Sequence, residues 1–142
     1  MKIRTMTLDE LYVFIGQSEE IFNEHYEYKK YLRLHKLHPE GFLVVGKDNI
    51  ILGFAIAIPE KEAPRLHMLY TVPEARRQGI AKKIMEELFR TFQDRKSMVL
   101  EVREGNNSAI QFYMGLEFEI EGVIRKYYSN GESAYRMRRI LE

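Results

Sequence analysis

A single carboxylate stands within an apolar, strand-like segment. Glu101 is flanked by the apolar residues 98–100 and by Val102, where a charge is out of place unless it is paired or takes part in chemistry. Partial burial raises the pKa of a carboxyl group in general and improves it as a general base near neutral pH. The competing interpretation is structural, because Arg103 projects from the same strand face two residues on and would make an ion pair.

A second cluster, residues 72–82, combines a glycine with basic side chains. It follows an apolar run, Leu66–Val72, and precedes apolar residues at helical spacing, which predicts a buried strand, a tight turn and a helix. Gly79 permits close approach of a ligand, and the unpaired N–H groups of a helix start suit a phosphate or pyrophosphate. Solvated arginines in an ordinary α/β turn are the alternative. The segment is neither a GxGxxG nor a GxxxxGK[ST] loop, so it favours neither a dinucleotide nor a nucleoside triphosphate.

A third segment, residues 100–118, changes the interpretation of the second. It carries the spacing N-x-x-A-[IL]-x-[FL]-Y-x-x-x-G-F at Asn106, Ala109, Ile110, Phe112, Tyr113 and Phe118. The earlier turn carries Q/R-x-x-G-x-G/A at Arg76, Gly79 and Ala81. Together the two segments resemble the acetyl-CoA site of the GNAT superfamily of N-acetyltransferases. Glu117 departs from the pattern where the family has Gly, which concerns the turn into the next strand rather than the chemistry.

The C-terminal part resembles the RimI-like branch, which includes ribosomal-protein acetyltransferases and N-terminal acetyltransferase catalytic subunits. The matching stretches are 100–103, 124–128, 130–132 and 134–137, so the resemblance covers roughly residues 66–140. The Leu-Tyr-Pro substrate-loop signature of many eukaryotic members is missing near the first helix, which leaves the substrate open. The resemblance implies an α/β (α+β) GNAT fold, with a mixed central sheet of about six to seven strands, a splay between the fourth and fifth strands, and about four flanking helices.

The resemblance also implies how acetyl-CoA binds. Backbone N–H groups at the helix start would hold its pyrophosphate, with charge added by Arg76 and Lys82, and the fourth strand would pair with the pantetheine amides. Asn106 would hydrogen-bond the pantetheine arm, although capping the short helix is an equally good use of an asparagine. The implied cofactor-binding set is Leu69, Tyr70, Thr71, Val72, Arg76, Arg77, Gln78, Gly79, Ile80, Ala81, Lys82, Asn106 and Tyr113.

Two proton movements accompany transfer to an amine, because the ammonium loses a proton and the leaving thiolate gains one. Tyr113 is the implied general acid, since a phenol with a pKa near ~10 is protonated at neutral pH. A packed core aromatic is the alternative. Glu101 is the implied base, directly or through an ordered water, with His67 in reserve. The resemblance implies that Tyr127 and Tyr128 bind the N-terminal end of the peptide substrate. The alternative is an ordinary pair of tyrosines on an edge strand.

Composition narrows the function classes. The 142 residues are interpreted as a single domain, 1–142, and 22 basic against 21 acidic side chains give a net charge of +1. That balance favours neither nucleic acid nor membrane, and no apolar run approaches the ~18 residues of a membrane span. With no cysteine, disulfides and a cysteine acyl-enzyme are excluded, which fits a cytoplasmic protein. No metal site is predicted, because zinc spacing is missing among His25, His35, His38 and His67.

The sequence therefore predicts direct transfer of acetyl from acetyl-CoA to a primary amine, with the N-terminal α-amine of a protein or peptide as the favoured acceptor. An α-amine has a pKa near ~7.7–8 against ~10.4 for lysine, so it becomes nucleophilic more readily. A small-molecule amine, such as a polyamine or an amino sugar, is an alternative acceptor. A catalytically weak CoA-binding module is the alternative in another class, and a homodimer is left open.

Periodicity predicts the elements that position these residues. A short strand at 2–6 leads to the capping box Thr7–Glu10, which begins a first helix, and further helix is predicted at 21–37, 77–95 and 107–114. Strands are predicted at 42–46, 50–58, 66–72, 97–103, and near 118–128 and 133–141. The last two strands would be joined through Asn130-Gly131, a strong hairpin-turn pair.

Overall fold

A seven-stranded mixed sheet forms the centre of the protein. The structure, a computed structural model, describes residues 1–141. The strands are β1 (Lys2–Thr5), β2 (Phe42–Lys47), β3 (Ile50–Pro59), β4 (Pro64–Thr71), β5 (Ser97–Arg103), β6 (Glu119–Ile124) and β7 (Ala134–Ile140). Their order in the sheet is β1-β2-β3-β4-β5-β7-β6, and only β4 and β5 run parallel. The predicted mixed sheet of six to seven strands is confirmed.

Five α-helices flank the sheet within residues 1–141, where about four helices were predicted. They are α1 (Leu8–Gly16), α2 (Ser18–Phe22), α3 (Tyr28–Leu37), α4 (Ile80–Thr91) and α5 (Asn107–Gly115). The capping box is present, with Thr7 accepting from the Glu10 N–H at 3.1 Å and the Glu10 carboxylate accepting from the Thr7 N–H at 2.9 Å. None of the helices within residues 1–141 is long and apolar enough to cross a membrane.

Two helix predictions were wrong in extent. The stretch 21–37 is broken, because Asn23 adopts a left-handed conformation (φ 55°) that ends α2 before α3 begins at Tyr28. The helix predicted at 77–95 runs only over Ile80–Thr91. Its start is delayed because Arg77 (φ 66°) and Gly79 (φ 78°) are both left-handed and form a turn rather than a helix.

Each face of the sheet buries its own core. Alternation along β2 sends Leu43 and Val45 to the face covered by α4, and Phe42 and Val44 to the face covered by α1 and α3. The second core includes a stacked pair, Phe14 and Phe54, whose ring centroids lie 4.1 Å apart. Apolar packing on both faces fixes the sheet to which the site residues are attached.

The predicted splay between the fourth and fifth strands is confirmed. β4 and β5 pair only at Arg65–Val99 and Leu66–Leu100. A bulge against β3 follows, because Leu66 pairs with Ala57 and Met68 with Ile56, so that His67 is an extra residue in β4. Beyond it, the edge of β4 that faces β5 has no strand partner among the described residues.

The last two strands are shorter than predicted, and the loop between them, residues 125–133, is longer. Asn130-Gly131 lies at its tip, where the Gly131 N–H donates to the Tyr128 carbonyl at 2.9 Å and Gly131 has φ 90°. The turn is therefore present, but not as a two-residue hairpin. The Glu24 carboxylate draws the loop toward the α2–α3 connection by accepting from the Ser129 N–H at 2.7 Å and the Ser129 hydroxyl at 3.0 Å.

Candidate active site

Three adjoining spaces follow the splay. The first, the groove, has a volume of about 640 Å³ and lies between the end of β4, the start of α4 and α5. The second, the central cavity, has about 260 Å³ and shares Leu69, Ala109 and Tyr113 with the groove. The third, the outer cavity, has about 430 Å³ and shares Tyr26, His67, Glu101 and Tyr128 with the central cavity. The spaces therefore lie in series.

Ten of the predicted cofactor residues line the groove: Leu69, Tyr70, Thr71, Arg76, Arg77, Gly79, Ile80, Ala81, Lys82 and Tyr113. Three others lie elsewhere. The Val72 N–H donates to the Leu52 carbonyl at 2.9 Å, and the Gln78 side chain donates to the Glu74 carbonyl at 3.3 Å. Asn106 lines the central cavity. The groove is thus made mainly by one continuous stretch of chain.

The start of α4 presents unpaired backbone N–H groups to the groove. The first bond of the helix runs from the Lys83 N–H to the Gly79 carbonyl at 3.0 Å, which leaves the N–H groups of residues 79–82 without a partner in the helix. Gly79 caps the helix with no side chain, in a left-handed conformation that few other residues adopt. These groups and the positive end of the helix dipole fit an anionic ligand such as a pyrophosphate.

Arg76 is held against β4. Its Nε donates to the Thr71 carbonyl at 3.1 Å, and its guanidinium lies 5.7 Å from the centroid of the Tyr70 ring. Lys82 is exposed on the first turn of α4. The two predicted cations therefore flank the groove, Arg76 anchored to β4 and Lys82 exposed to solvent.

Tyr113 lies where the groove meets the central cavity. Its ring packs edge-on against Phe112 and Phe118, with centroids 5.2 and 5.7 Å away. Burial raises the pKa of the Tyr113 hydroxyl, so this group is protonated at neutral pH. A protonated phenol at this junction is able to donate a proton or a hydrogen bond into either space.

Glu101 is nearly enclosed, with 5% of its side chain exposed, and it lines both the central and the outer cavity. Its Oε2 accepts from the Arg65 guanidinium and from Arg136 Nε, the latter at 2.9 Å. Its Oε1 accepts from the Tyr127 hydroxyl at 3.4 Å. A carboxylate with one oxygen tied to two guanidinium groups has a fixed direction, and Oε1 is the oxygen left with a single, long contact.

The ion pair between Glu101 and Arg103, the structural alternative to a catalytic Glu101, is not formed. Arg136 lies directly opposite Glu101 in the β5–β7 register, and Arg65 comes from the paired end of β4. Such cross-strand neighbours are closer than a residue two positions along the same strand. The alternative structural reading of Glu101 therefore had the right kind of contact but the wrong partner.

Arg103 instead joins the two segments that border the outer cavity. It donates to the Phe22 carbonyl at 3.0 Å and to the Glu132 carboxylate at 3.3 Å, and lies 3.7 Å from the Glu24 carboxylate. Its guanidinium also stacks 3.9 Å from the centroid of the Tyr128 ring. It thereby fixes the α2–α3 connection against the loop 125–133.

Tyr127 and Tyr128 both line the outer cavity, from the loop rather than from the predicted strand. Their rings meet edge to face, with centroids 5.0 Å apart. Burial raises the pKa of both hydroxyls, so each is a hydrogen-bond donor at neutral pH. The structure brings this pair and Glu101 to one cavity.

His67, the reserve base, lies between two partners. Its Nδ1 is 2.9 Å from the Tyr31 hydroxyl and its Nε2 is 2.9 Å from a Glu60 oxygen. Burial lowers the pKa of His67, and this effect outweighs the opposing contribution of Glu60. The imidazole is therefore neutral at neutral pH.

Asn106 performs the structural role that the sequence left open. Its side-chain oxygen accepts from the Ala109 N–H at 3.2 Å and caps α5. Four further site residues were missed by sequence reasoning: Tyr31, Glu60, Arg65 and Arg136. Arg136 lies in the stretch 134–137 that matches the RimI-like branch, but nothing marked its role. The contacts of the four residues span 7 to 36 positions, so local patterns could not reveal them.

Comparison with known proteins places this geometry. The model of the acetyltransferase (GNAT) family matches residues 7–118. N-alpha-acetyltransferase daf-31 of Caenorhabditis elegans is 32% identical over 152 residues, covering 99% of this chain and 83% of that protein. An N-alpha-acetyltransferase of Saccharolobus solfataricus is 29% identical, with 98% and 92% covered. The crystal structure of Ard1 from Thermoplasma volcanium has a TM-score of 0.88 at 27% identity, with 98% and 96% covered.

The family match spans the first helix, the groove and the end of α5, and the daf-31 relative aligns with nearly the whole chain. These relatives also confirm the branch that the sequence indicated. The chain belongs to the acetyltransferase (GNAT) family.

Proposed function

We propose that this protein acetylates the N-terminal α-amine of proteins or peptides, with acetyl-CoA as the donor. One observation carries the proposal: Glu101 and Tyr113 line the same central cavity, between a groove that fits the donor and an outer cavity lined by tyrosines. The names of the relatives agree, since they are N-alpha-acetyltransferases.

The groove fits coenzyme A in two respects. The N–H groups of residues 79–82 would hold the pyrophosphate, with charge added by Arg76 and Lys82 beside it. The open edge of β4 at Leu69–Thr71 would pair with the pantetheine amides, because β5 has diverged at that level. When bound, acetyl-CoA supplies a thioester whose carbonyl carbon is open to attack by an amine.

Glu101 and Tyr113 divide the proton transfers. Glu101 accepts a proton from the acceptor nitrogen at Oε1, because its Oε2 is occupied by Arg65 and Arg136. Tyr113 donates a proton to the departing sulfur, because burial keeps its hydroxyl protonated. Asn106 holds the start of α5 and thereby positions Tyr113 seven residues on.

The outer cavity suits a peptide start better than a polycation. The charged residues that line it are Glu27 and Glu101 against Lys30 and Arg65, so acidic side chains are not in excess. Tyr127 and Tyr128 offer hydroxyl donors and ring surface to a peptide backbone. An α-amine also loses its proton more readily than a lysine, with a pKa near ~7.7–8 against ~10.4.

The test is release of free thiol from acetyl-CoA in the presence of peptides with free or blocked N-termini, and of spermidine. The protein has no cysteine and contributes no background thiol. Release that requires a free α-amine supports the proposal. Release with spermidine alone moves the function to small-molecule acetylation, and binding of acetyl-CoA without release for any acceptor favours a weak CoA-binding module.

The cytoplasmic location, the single domain and the homodimer stay predictions.

A further inference from the structure

Three side chains form a hydrogen-bonded chain from the outer cavity to the surface. The Tyr31 hydroxyl contacts His67 Nδ1, and His67 Nε2 contacts Glu60, both at 2.9 Å. Exposure rises along the chain: Tyr31 is 2% exposed as a residue, and the side chains of His67 and Glu60 are 12% and 38% exposed. Tyr31 and His67 line the outer cavity, whereas Glu60 lies outside it.

The chemistry of the partners gives this chain a direction. A carboxylate only accepts, so His67 Nε2 carries the hydrogen that meets Glu60. A neutral imidazole then has its lone pair at Nδ1, and the Tyr31 hydroxyl donates to it. Each donor therefore points away from the cavity and toward Glu60, which is the arrangement required to pass a proton outward.

The other charged groups around His67 are consistent with a neutral imidazole. Lys30 on α3 and Arg65 on β4 lower the pKa of His67, in addition to burial, while Glu60 raises it. The remaining titratable groups lining the two cavities with it are His25, Tyr26, Glu27, Glu101, Arg103, Tyr113, Tyr127 and Tyr128.

The proposed reaction leaves one proton to be removed from the cavities. An ammonium has three N–H bonds and the amide product keeps one, so two protons leave nitrogen while only one ends on the sulfur. Glu101 and Tyr113 account for the proton that ends on the sulfur. Tyr113 gives a proton to the sulfur, and the proton that Glu101 takes from the nitrogen makes up for it. Two partners of Glu101, Arg65 and Arg136, carry guanidinium groups, which do not give up a proton in proteins, and the third, the Tyr127 hydroxyl, contacts it only at 3.4 Å.

We propose that Tyr31, His67 and Glu60 form a proton relay that carries the second proton from the acceptor ammonium to solvent. An N–H bond of the ammonium breaks as an O–H bond forms on Tyr31, whose own proton moves to His67 Nδ1. The Nε2 proton of the imidazolium passes to Glu60 and then to water, which leaves Tyr31 with the proton from the acceptor and a neutral imidazole with its hydrogen on Nδ1. Between turnovers, proton exchange with solvent returns the imidazole to the tautomer with its hydrogen on Nε2. Over the turnover the C–N bond forms, the C–S bond breaks and one proton is released. The inference rests on the proposed function and adds to it.

The first test compares Tyr31→Phe, His67→Gln and the double variant in the thiol-release assay. We expect each to lower kcat with the peptide by about 10²-fold, typical of general acid–base groups, with KM for acetyl-CoA unchanged. The double variant should lose no more than the worse single, because the residues act as one unit. Tyr28→Phe is the control, since Tyr28 lies on the same helix, packs against the second core and edge-on against the Tyr12 ring, and lines none of the three spaces. Single variants within twofold of wild type, or a double loss equal to the product of the singles, overturn the relay.

The second test uses the acid limb of kcat/KM. His67 accepts a proton only when neutral, so activity falls as pH drops through its pKa. Glu60→Gln removes the group that raises this pKa, and the limb should move to lower pH by about half a unit or more. The same change made in His67→Gln should produce no further shift. Glu62→Gln, in the same β3–β4 turn, is the control. An equal shift with and without His67 overturns the relay and attributes the limb to another group.

A third measurement is independent of turnover. Nitrogen chemical shifts of the His67 ring, assigned with His67→Gln, should show the neutral tautomer with the hydrogen on Nε2. A hydrogen on Nδ1 overturns the relay, even in an active enzyme. Failure of the wild type to acetylate any peptide overturns the proposed function instead, so the two failures are distinguishable.

Discussion

The groove and the outer cavity are built in opposite ways. The groove is lined largely by residues 69–82, a single stretch in which backbone N–H groups and one left-handed glycine supply the fit. The outer cavity is lined by side chains from the α2–α3 connection, α3, β4, β5 and the loop 125–133. The groove depends on local backbone conformation, whereas the outer cavity depends on contacts between distant residues. Substitutions should therefore separate donor binding from acceptor binding.

The largest effect should come from the junction, where the two regions act together. Glu101→Gln and Tyr113→Phe should each lower kcat by about 10²-fold or more, because each removes a proton-transfer group. KM for acetyl-CoA should change little in Tyr113→Phe, since the ring remains. Steady-state kinetics with a free-N-terminus peptide measure both constants, and Glu104→Gln, an exposed carboxylate next to β5, is the control. Full rates in both variants would remove these residues from the mechanism.

A backbone change should damage the groove alone. Gly79→Val places a β-branched residue at φ 78°, which costs about 1–2 kcal/mol and distorts the start of α4. We expect KM for acetyl-CoA to rise about tenfold, with KM for the peptide unchanged. Gly16→Val is the control, because a Cβ there also meets nothing within 4 Å while φ is not positive. An equal rise in both KM values would show that the groove and the outer cavity are not separable.

A side-chain change should damage the outer cavity alone. Arg103→Met removes the contacts to the Phe22 carbonyl, to Glu132 and to the Tyr128 ring. KM for the peptide should rise about fivefold, in the range of one lost ordinary hydrogen bond, while acetyl-CoA binding is unaffected. Arg125→Met, exposed at the start of the same loop, is the control. Calorimetry on the Arg103→Met variant checks that its affinity for acetyl-CoA is unchanged. An equal loss of acetyl-CoA affinity would contradict the separation of donor binding from acceptor binding.

The smallest effect should come from Lys82. As an exposed cation beside the groove, it adds little beyond screened attraction, so Lys82→Gln should raise KM for acetyl-CoA about two- to threefold at low salt. Added salt should reduce the difference from wild type. Lys83→Gln, one residue on and outside the groove lining, should have no such effect. A salt-independent loss would show that Lys82 contributes by packing rather than by charge.

The same contrast explains what the sequence could predict. The groove residues follow one another, so the glycine, the helical spacing after it and the resemblance to the GNAT family indicated them together. The resemblance also implied the mixed sheet and its splay, and the residue types of Thr7–Glu10 predicted the capping box. The partners of Glu101 were not, because Arg136 becomes its neighbour only through the register of β5 and β7. The break at Asn23 was missed because residues 21–37 have helical composition on both sides of it, and one left-handed residue ends the helix.

The series of three spaces has a kinetic consequence. With the proposed function, donor and acceptor would occupy different ends of the series and meet at the central cavity, so neither would have to leave before the other binds. Without a cysteine to hold the acetyl group in between, the rate law should be that of a ternary complex. Double-reciprocal plots at several fixed peptide concentrations should intersect rather than run parallel.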